Sequence, residues 1–176
     1  VPQAIFVGHS MGGHLGQEPV FHHPDRAQAM VFLDCTWNFQ KLTPTEEKLL
    51  KMAKPIFRMH PYPMLLLESL YATASSREAR ALLRKSMNRL SKEEFIQIMM
   101  AGTLCLHHEP GYKIGKPILM MVGEKDQTGN IRKAMPAWAK HEGVDLVVIP
   151  NARHAANLDQ PEIFHRTLLD FLQRML

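Results

Sequence analysis

The chain has 176 residues, 45% of them hydrophobic and 22% charged, with a formal net charge of +4. That length suits one globular domain, the balance is that of soluble proteins and excludes extended disorder, and no run approaches the roughly 18 apolar residues of a membrane-spanning helix. The charge excess lies in residues 36–115, which hold twelve Lys/Arg against seven Asp/Glu; lacking interleaved aromatics or a binding module, it reads as a solvated helical surface and not as a nucleic-acid face.

Ala4–Val7 (AIFV) is a short apolar run closed by glycine and reads as a buried strand. The turn Gly8-His9-Ser10-Met11-Gly12-Gly13 follows at once, and residues 13–22 read as a helix that stops before Pro24. Met30–Leu33 (MVFL) is a second buried strand, ending at Asp34. Residues 36–115 hold no convincing strand but three Ser/Thr-x-x-Glu helix starts, whose side chains satisfy first-turn amides: Thr43–Glu46, with Pro44 as first helical residue, Ser75–Glu78 and Ser91–Glu94. Ordinary strand–helix connections run to about six residues, so this segment is a helical insertion. It carries six of the 12 methionines, which read as flexible core filler, with an adaptable apolar pocket as the alternative for some.

Ile118–Val122 (ILMMV) is the third strand, and residues 130–141 form a helix in which Pro136 is either a kink or the first turn. Leu146–Ile149 (LVVI) is the fourth strand, and Pro161 opens a last helix over 161–176. Buried strands separated by helices predict an α/β fold with a mostly parallel sheet and flanking helices. The expected division is a core of residues 1–35 and 116–176, with 36–115 as the insertion.

The chemistry is expected past the carboxyl ends of these strands. A serine at the centre of G-x-S-x-G, with a strand before it and a helix after it, sits on a strained turn that lifts its hydroxyl above the sheet. The same turn aims the Met11 amide, at the positive end of the helix, at an oxyanion formed on Ser10. A serine hydroxyl needs a base, and the base an orienting acid. His154 follows the fourth strand and Asp126 the third, in the order Ser10, Asp126, His154. Asp34 competes for the acid role but reads better as a cap or hydrogen-bond acceptor opening the insertion, and Glu124 is a weaker competitor. His9 and Trp37 are candidates for lining the substrate site, although His9 also fits as packing behind the turn and Trp37 as an ordinary core residue. His14 fits helix packing.

The segments GHSMGG at 8–13, GEKD at 123–126 and NARHAANLDQPEIF at 151–164 closely resemble the α/β-hydrolase superfamily, in particular its serine esterase and lipase-like members with a helical cap. The resemblance covers the whole chain. It implies the α/β-hydrolase fold, with this chain supplying strands five to eight of the family's sheet and 36–115 the cap. It further implies a Ser-His-Asp triad of Ser10, His154 and Asp126, an acyl-enzyme and no cofactor, acting on small or medium apolar carboxylic esters. An acyltransferase or a carbon–carbon bond hydrolase with the same triad, or a ligand receptor on the same scaffold, are the alternatives. Serine at position 10 separates the chain from dehalogenase and epoxide-hydrolase branches, which carry aspartate there.

The family's first four strands, and the loop that donates a second oxyanion amide, are not in the sequence. The strand at Ala4–Val7 is therefore expected to be an apolar edge. Its expected partner is the missing N-terminal half of the same polypeptide, with a homo-oligomer as the alternative. Neither the paired histidines His22-His23 and His107-His108 nor the cysteines Cys35 and Cys105 have metal-ligand spacing, so no metal is expected. With no basic-then-apolar leader before the first strand and only these two cysteines, the expected setting is cytoplasmic, with no membrane partner.

Overall fold

The computed structural model describes residues 1–109 and 111–175; Pro110 of the insertion and Leu176 at the end of the expected last helix lie outside the described residues. The strands are β1 (Ala4–His9), β2 (Ala27–Leu33), β3 (Ile118–Gly123) and β4 (Leu146–Ile149), forming one sheet in the order β1-β2-β3-β4. Every neighbouring pair is parallel. The helices are α1 (Met11–His22), α2 (Pro44–Met59), α3 (Tyr62–Thr73), α4 (Arg77–Met87), α5 (Lys92–Ala101), α6 (Ile131–Glu142), the short α7 (Ala156–Asp159) and α8 (Pro161–Gln173).

The unbroken apolar runs of β2 and β3 follow from burial on both faces. Met30, Phe32, Met120 and Val122 point to one side, where Val20 of α1 and Met135 and Trp138 of α6 cover them. Val31, Leu33, Leu119 and Met121 point to the other, against Ile149 and Phe171 of α8. The outer strand β1 differs: Val7 is 53% exposed on the free side of the sheet. Between α1 and this edge runs an apolar trough of about 240 Å³ lined by Phe6, Val7, Leu15, Pro19 and Phe32.

All four helices α2–α5 fall between β2 and β3, and they carry a small core of their own around Leu65, Phe95 and Ile96. Capping boxes form at Thr43–Glu46 and Ser91–Glu94. The expected start at Ser75–Glu78 is corrected by one residue: Ser76 caps α4 by accepting from the Ala79 amide. The physical reason is tertiary, because the Asp159 carboxylate takes the amides of both Ser75 and Ser76 at 2.8–2.9 Å and sets where the helix begins. Pro136 stands inside α6 and not in its first turn, and α1 likewise runs through Pro19. Among the described residues no helix is long and apolar enough to cross a membrane.

Candidate active site

The turn after β1 holds Ser10 at φ 50°, ψ −118°, a backbone conformation that L side chains rarely adopt. Two features keep it there. The Ser10 amide donates to the Leu33 carbonyl at the end of β2 (2.9 Å). The strand also meets the helix closely at Gly8, where a Cβ would lie 2.5 Å from the Gly12 carbonyl oxygen. The carbonyl of Ser10 accepts from the amides of Gly13 and His14, so the Met11 amide is among the first-turn donors that a helix leaves without an internal acceptor.

The loop beyond β4 brings His154 to this serine. Its Nδ1 lies 3.0 Å from Asp126 Oδ2 and its Nε2 2.8 Å from Ser10 Oγ. A carboxylate only accepts, so Nδ1 carries the proton and donates to Asp126, leaving Nε2 to accept from the Ser10 hydroxyl. Asp126 stands in the turn after β3, where its amide donates to the Gly123 carbonyl and its Oδ1 accepts from the Thr128 amide at 2.7 Å. Burial works to raise the Asp126 pKa, but the hydrogen bond and charge of His154, helped by Thr128, outweigh it and hold the carboxyl below its usual range. Asp126 and His154 are both buried, at 2% and 7% exposure, whereas Ser10 remains partly open. A hydroxyl, an imidazole and a carboxylate joined in this order can pass the serine proton to the ring and stabilise the imidazolium that results.

The other candidates fall elsewhere. His9 is turned to the base loop: its Nε2 donates to the His154 carbonyl at 2.7 Å, with the two rings 5.0 Å apart. Burial, and behind it the repulsion that two charged rings at this spacing would exert, lower the His9 pKa to about 4, so this ring is neutral at physiological pH. Trp37, a candidate for lining the site or for the core, packs on His141 of α6 at 4.3 Å and against the core. The cause is the next residue, because the Asn38 amide bonds Gln17 Oε1 of α1 (2.9 Å) and leads the chain down beside the helices. Glu124 is exposed and accepts from the Asn151 amide. His14 bonds Asn38 Oδ1 at 2.6 Å and abuts Gly102 of the insertion. Among the described residues, no three His, Cys, Asp or Glu side chains gather as a metal site.

Asp159 has no counterpart in the sequence reading. Besides Ser75 and Ser76 it accepts from the Arg153 amide (2.9 Å), and Ala155 donates to the Thr73 carbonyl (2.7 Å), so the His154 loop and the insertion are fastened together. No local pattern points to it, because its three partners are up to 84 residues away. Asp159→Ala is expected to cost about 1–3 kcal/mol by urea denaturation, since three amides lose a charged acceptor.

A model of the alpha/beta hydrolase family matches residues 1–167. Protein ABHD14A of Danio rerio is 34% identical over 83 residues, 46% of this chain and 30% of that protein. In fold the chain is similar to a thermophilic esterase from Thermogutta terrifontis, at 20% identity and a TM-score of 0.72 over 99% of this chain and 66% of that one. It is similar also to 2-hydroxy-6-oxo-6-phenylhexa-2,4-dienoate hydrolase from Rhodococcus sp. strain RHA1, at 18% identity and a TM-score of 0.70, covering 98% of this chain and 65% of that one. The chain thus spans about two thirds of these solved structures.

Proposed function

This chain belongs to the alpha/beta hydrolase family, and from that premise we propose that it carries the catalytic triad of a serine hydrolase acting on small or medium apolar carboxylic esters. The observation that carries the reading is the hydrogen-bonded series Ser10–His154–Asp126, assembled from the loops beyond three parallel strands. His154 Nε2 takes the hydroxyl proton as Ser10 Oγ attacks the ester carbonyl. Asp126 holds the ring in the reactive tautomer, and the Met11 amide donates to the oxyanion. His154 then protonates the departing alcohol, and water activated by the same nitrogen releases the acid from Ser10. The helical insertion acts as the cap. Its exposed Met52, Ile56, Met59 and Met64 would, if turned to the substrate, offer it adaptable thioether and alkyl surface.

The second oxyanion donor and the cover of the β1 edge come, in this reading, from further strands of the same polypeptide. The exposed Val7 and the trough beside it support that, since an uncovered apolar edge invites pairing. Two free thiols, Cys35 and Cys105, fit a reducing, cytoplasmic setting.

Intact-mass spectrometry before and after a fluorophosphonate probe tests the proposal. One adduct is expected on the full-length protein, absent from Ser10→Ala, together with turnover of short aryl esters. An unlabelled Ser10 would overturn the nucleophile, and labelling without any ester turnover would overturn the substrate class.

A further inference from the structure

Asp34 is the buried titratable group that this mechanism leaves without work. It directly follows β2, between the serine strand and the acid strand, at φ 46° and with no exposure to solvent. Its Oδ1 accepts from the Gly123 amide at 2.7 Å, and its own amide donates to the Met121 carbonyl at 3.0 Å. The preceding residue, Leu33, receives the Ser10 amide. One residue pair therefore joins the serine turn to the strand that ends in the acid turn.

The second carboxyl oxygen, Oδ2, is buried and has no hydrogen-bond partner among the described residues. As a carboxylate, Asp34 would hold that oxygen in a dry interior with only the Ala156 amide turned towards it, which is costly; as a carboxylic acid it needs only an acceptor for its proton. The titratable groups facing it are Asp126 from the acid turn and the thiol of Cys35, with His154 on the far side of Asp126. The Ala156 amide also turns towards it. Burial, and behind it the Asp126 charge, push the Asp34 pKa up to about 8 against the pull of the Gly123 and Ala156 amides. Two carboxylates this close do not both ionise cheaply, and Asp126, held by His154, keeps the charge.

We infer that Asp34 is a positioning residue that works as an uncharged acid, tying the acid turn to the serine strand through Gly123 and presenting its proton to Asp126, so that one negative charge and not two stands behind His154. The inference rests on Asp126 being the acid for His154. Above about pH 8 the proton leaves, the two carboxylates repel, and the acid turn loosens. The folded chain also binds one more proton at Asp34 than the unfolded chain between 3.8 and about 8, so stability falls as pH rises across that window.

The test uses the full-length protein with D34A and D34N. In a 13C NMR titration of the aspartate carboxyls, one resonance is expected to titrate near pH 8 and to be missing from D34N; titration of that resonance in the ordinary carboxylate range overturns the inference. The downfield Nδ1 proton of His154 reports its bond to Asp126. It is expected to shift or vanish in D34A and to return in D34N, and an unmoved signal in D34A overturns the positioning role. In turnover, D34A is expected to lose about tenfold to a hundredfold in kcat with KM within about threefold, D34N to recover most of it, and the fall above pH 8 to be absent from D34N. If D34A does not fold, D34N decides, because an alkaline fall that persists there overturns the inference. The two NMR readouts need no turnover, so a protein that fails to label at Ser10 removes the hydrolase proposal while these still decide the state of Asp34.

Discussion

Asp126→Asn is expected to lower ester turnover by about 10⁴ with little change in KM. The substitution keeps the shape of the side chain and its bond from the Thr128 amide, so the fold should survive. What changes is the face turned to His154, 3.0 Å from Nδ1. An amide nitrogen there donates, which forces Nδ1 to accept and moves the ring proton to Nε2. That nitrogen stands 2.8 Å from Ser10 Oγ and could then no longer take the hydroxyl proton. The effect should appear in single-turnover acylation and in the rate of probe labelling alike. A loss below tenfold would show that another group orients His154, and Asp34 is the next carboxyl behind it.

Gly123→Ala should cost both stability and activity. A Cβ at this position would run into the Arg153 carbonyl oxygen and lie 2.7 Å from that of Ala152. Those are main-chain atoms of the loop that carries His154, so no side-chain rotation relieves the clash. The amide of Gly123 also donates to Asp34, and its carbonyl accepts from Asp126. Forcing the two loops apart therefore moves the acid and the base together. Overpacking of this kind costs about 1–3 kcal/mol, and a displacement of about 1 Å at a reacting geometry can remove about a hundredfold in rate. Thermal unfolding alongside kcat separates the two effects. A variant with normal kcat and an unchanged midpoint would show that this close approach does not set the site.

The residues that the sequence made legible share a property: their pattern is local. Unbroken apolar runs such as Met30–Leu33 require cover on both faces, and both faces of β2 are covered. The strained turn at Ser10 needs glycines beside it in the chain, and Gly8 is where strand and helix backbones meet. Asp126 and His154 were readable because a parallel sheet puts the loops after its strands on one side, so three distant residues converge without any contact having to be foreseen. The open β1 edge was legible too: among the described residues β1 pairs only with β2, and Val7 is exposed.

What escaped the sequence was decided by partners distant along the chain. Trp37, for which the sequence left a substrate-lining and a core position open, is settled in the core because Asn38 is bonded to Gln17 on another element. Ser76 displaced Ser75 as a cap because Asp159 reaches back across the fold. Asp34 reads as a cap or acceptor opening the insertion, with the acid role as the alternative, yet its place between two neighbouring strands removes it from water and sets it against Asp126. By itself, then, the sequence determined the four buried strands, the glycine-flanked turn at Ser10 and the chain order of Ser10, Asp126 and His154, because these follow from hydrophobic periodicity and local motif. Only the tertiary structure decided distances, tautomer and charge, because those depend on which distant groups share a dry interior.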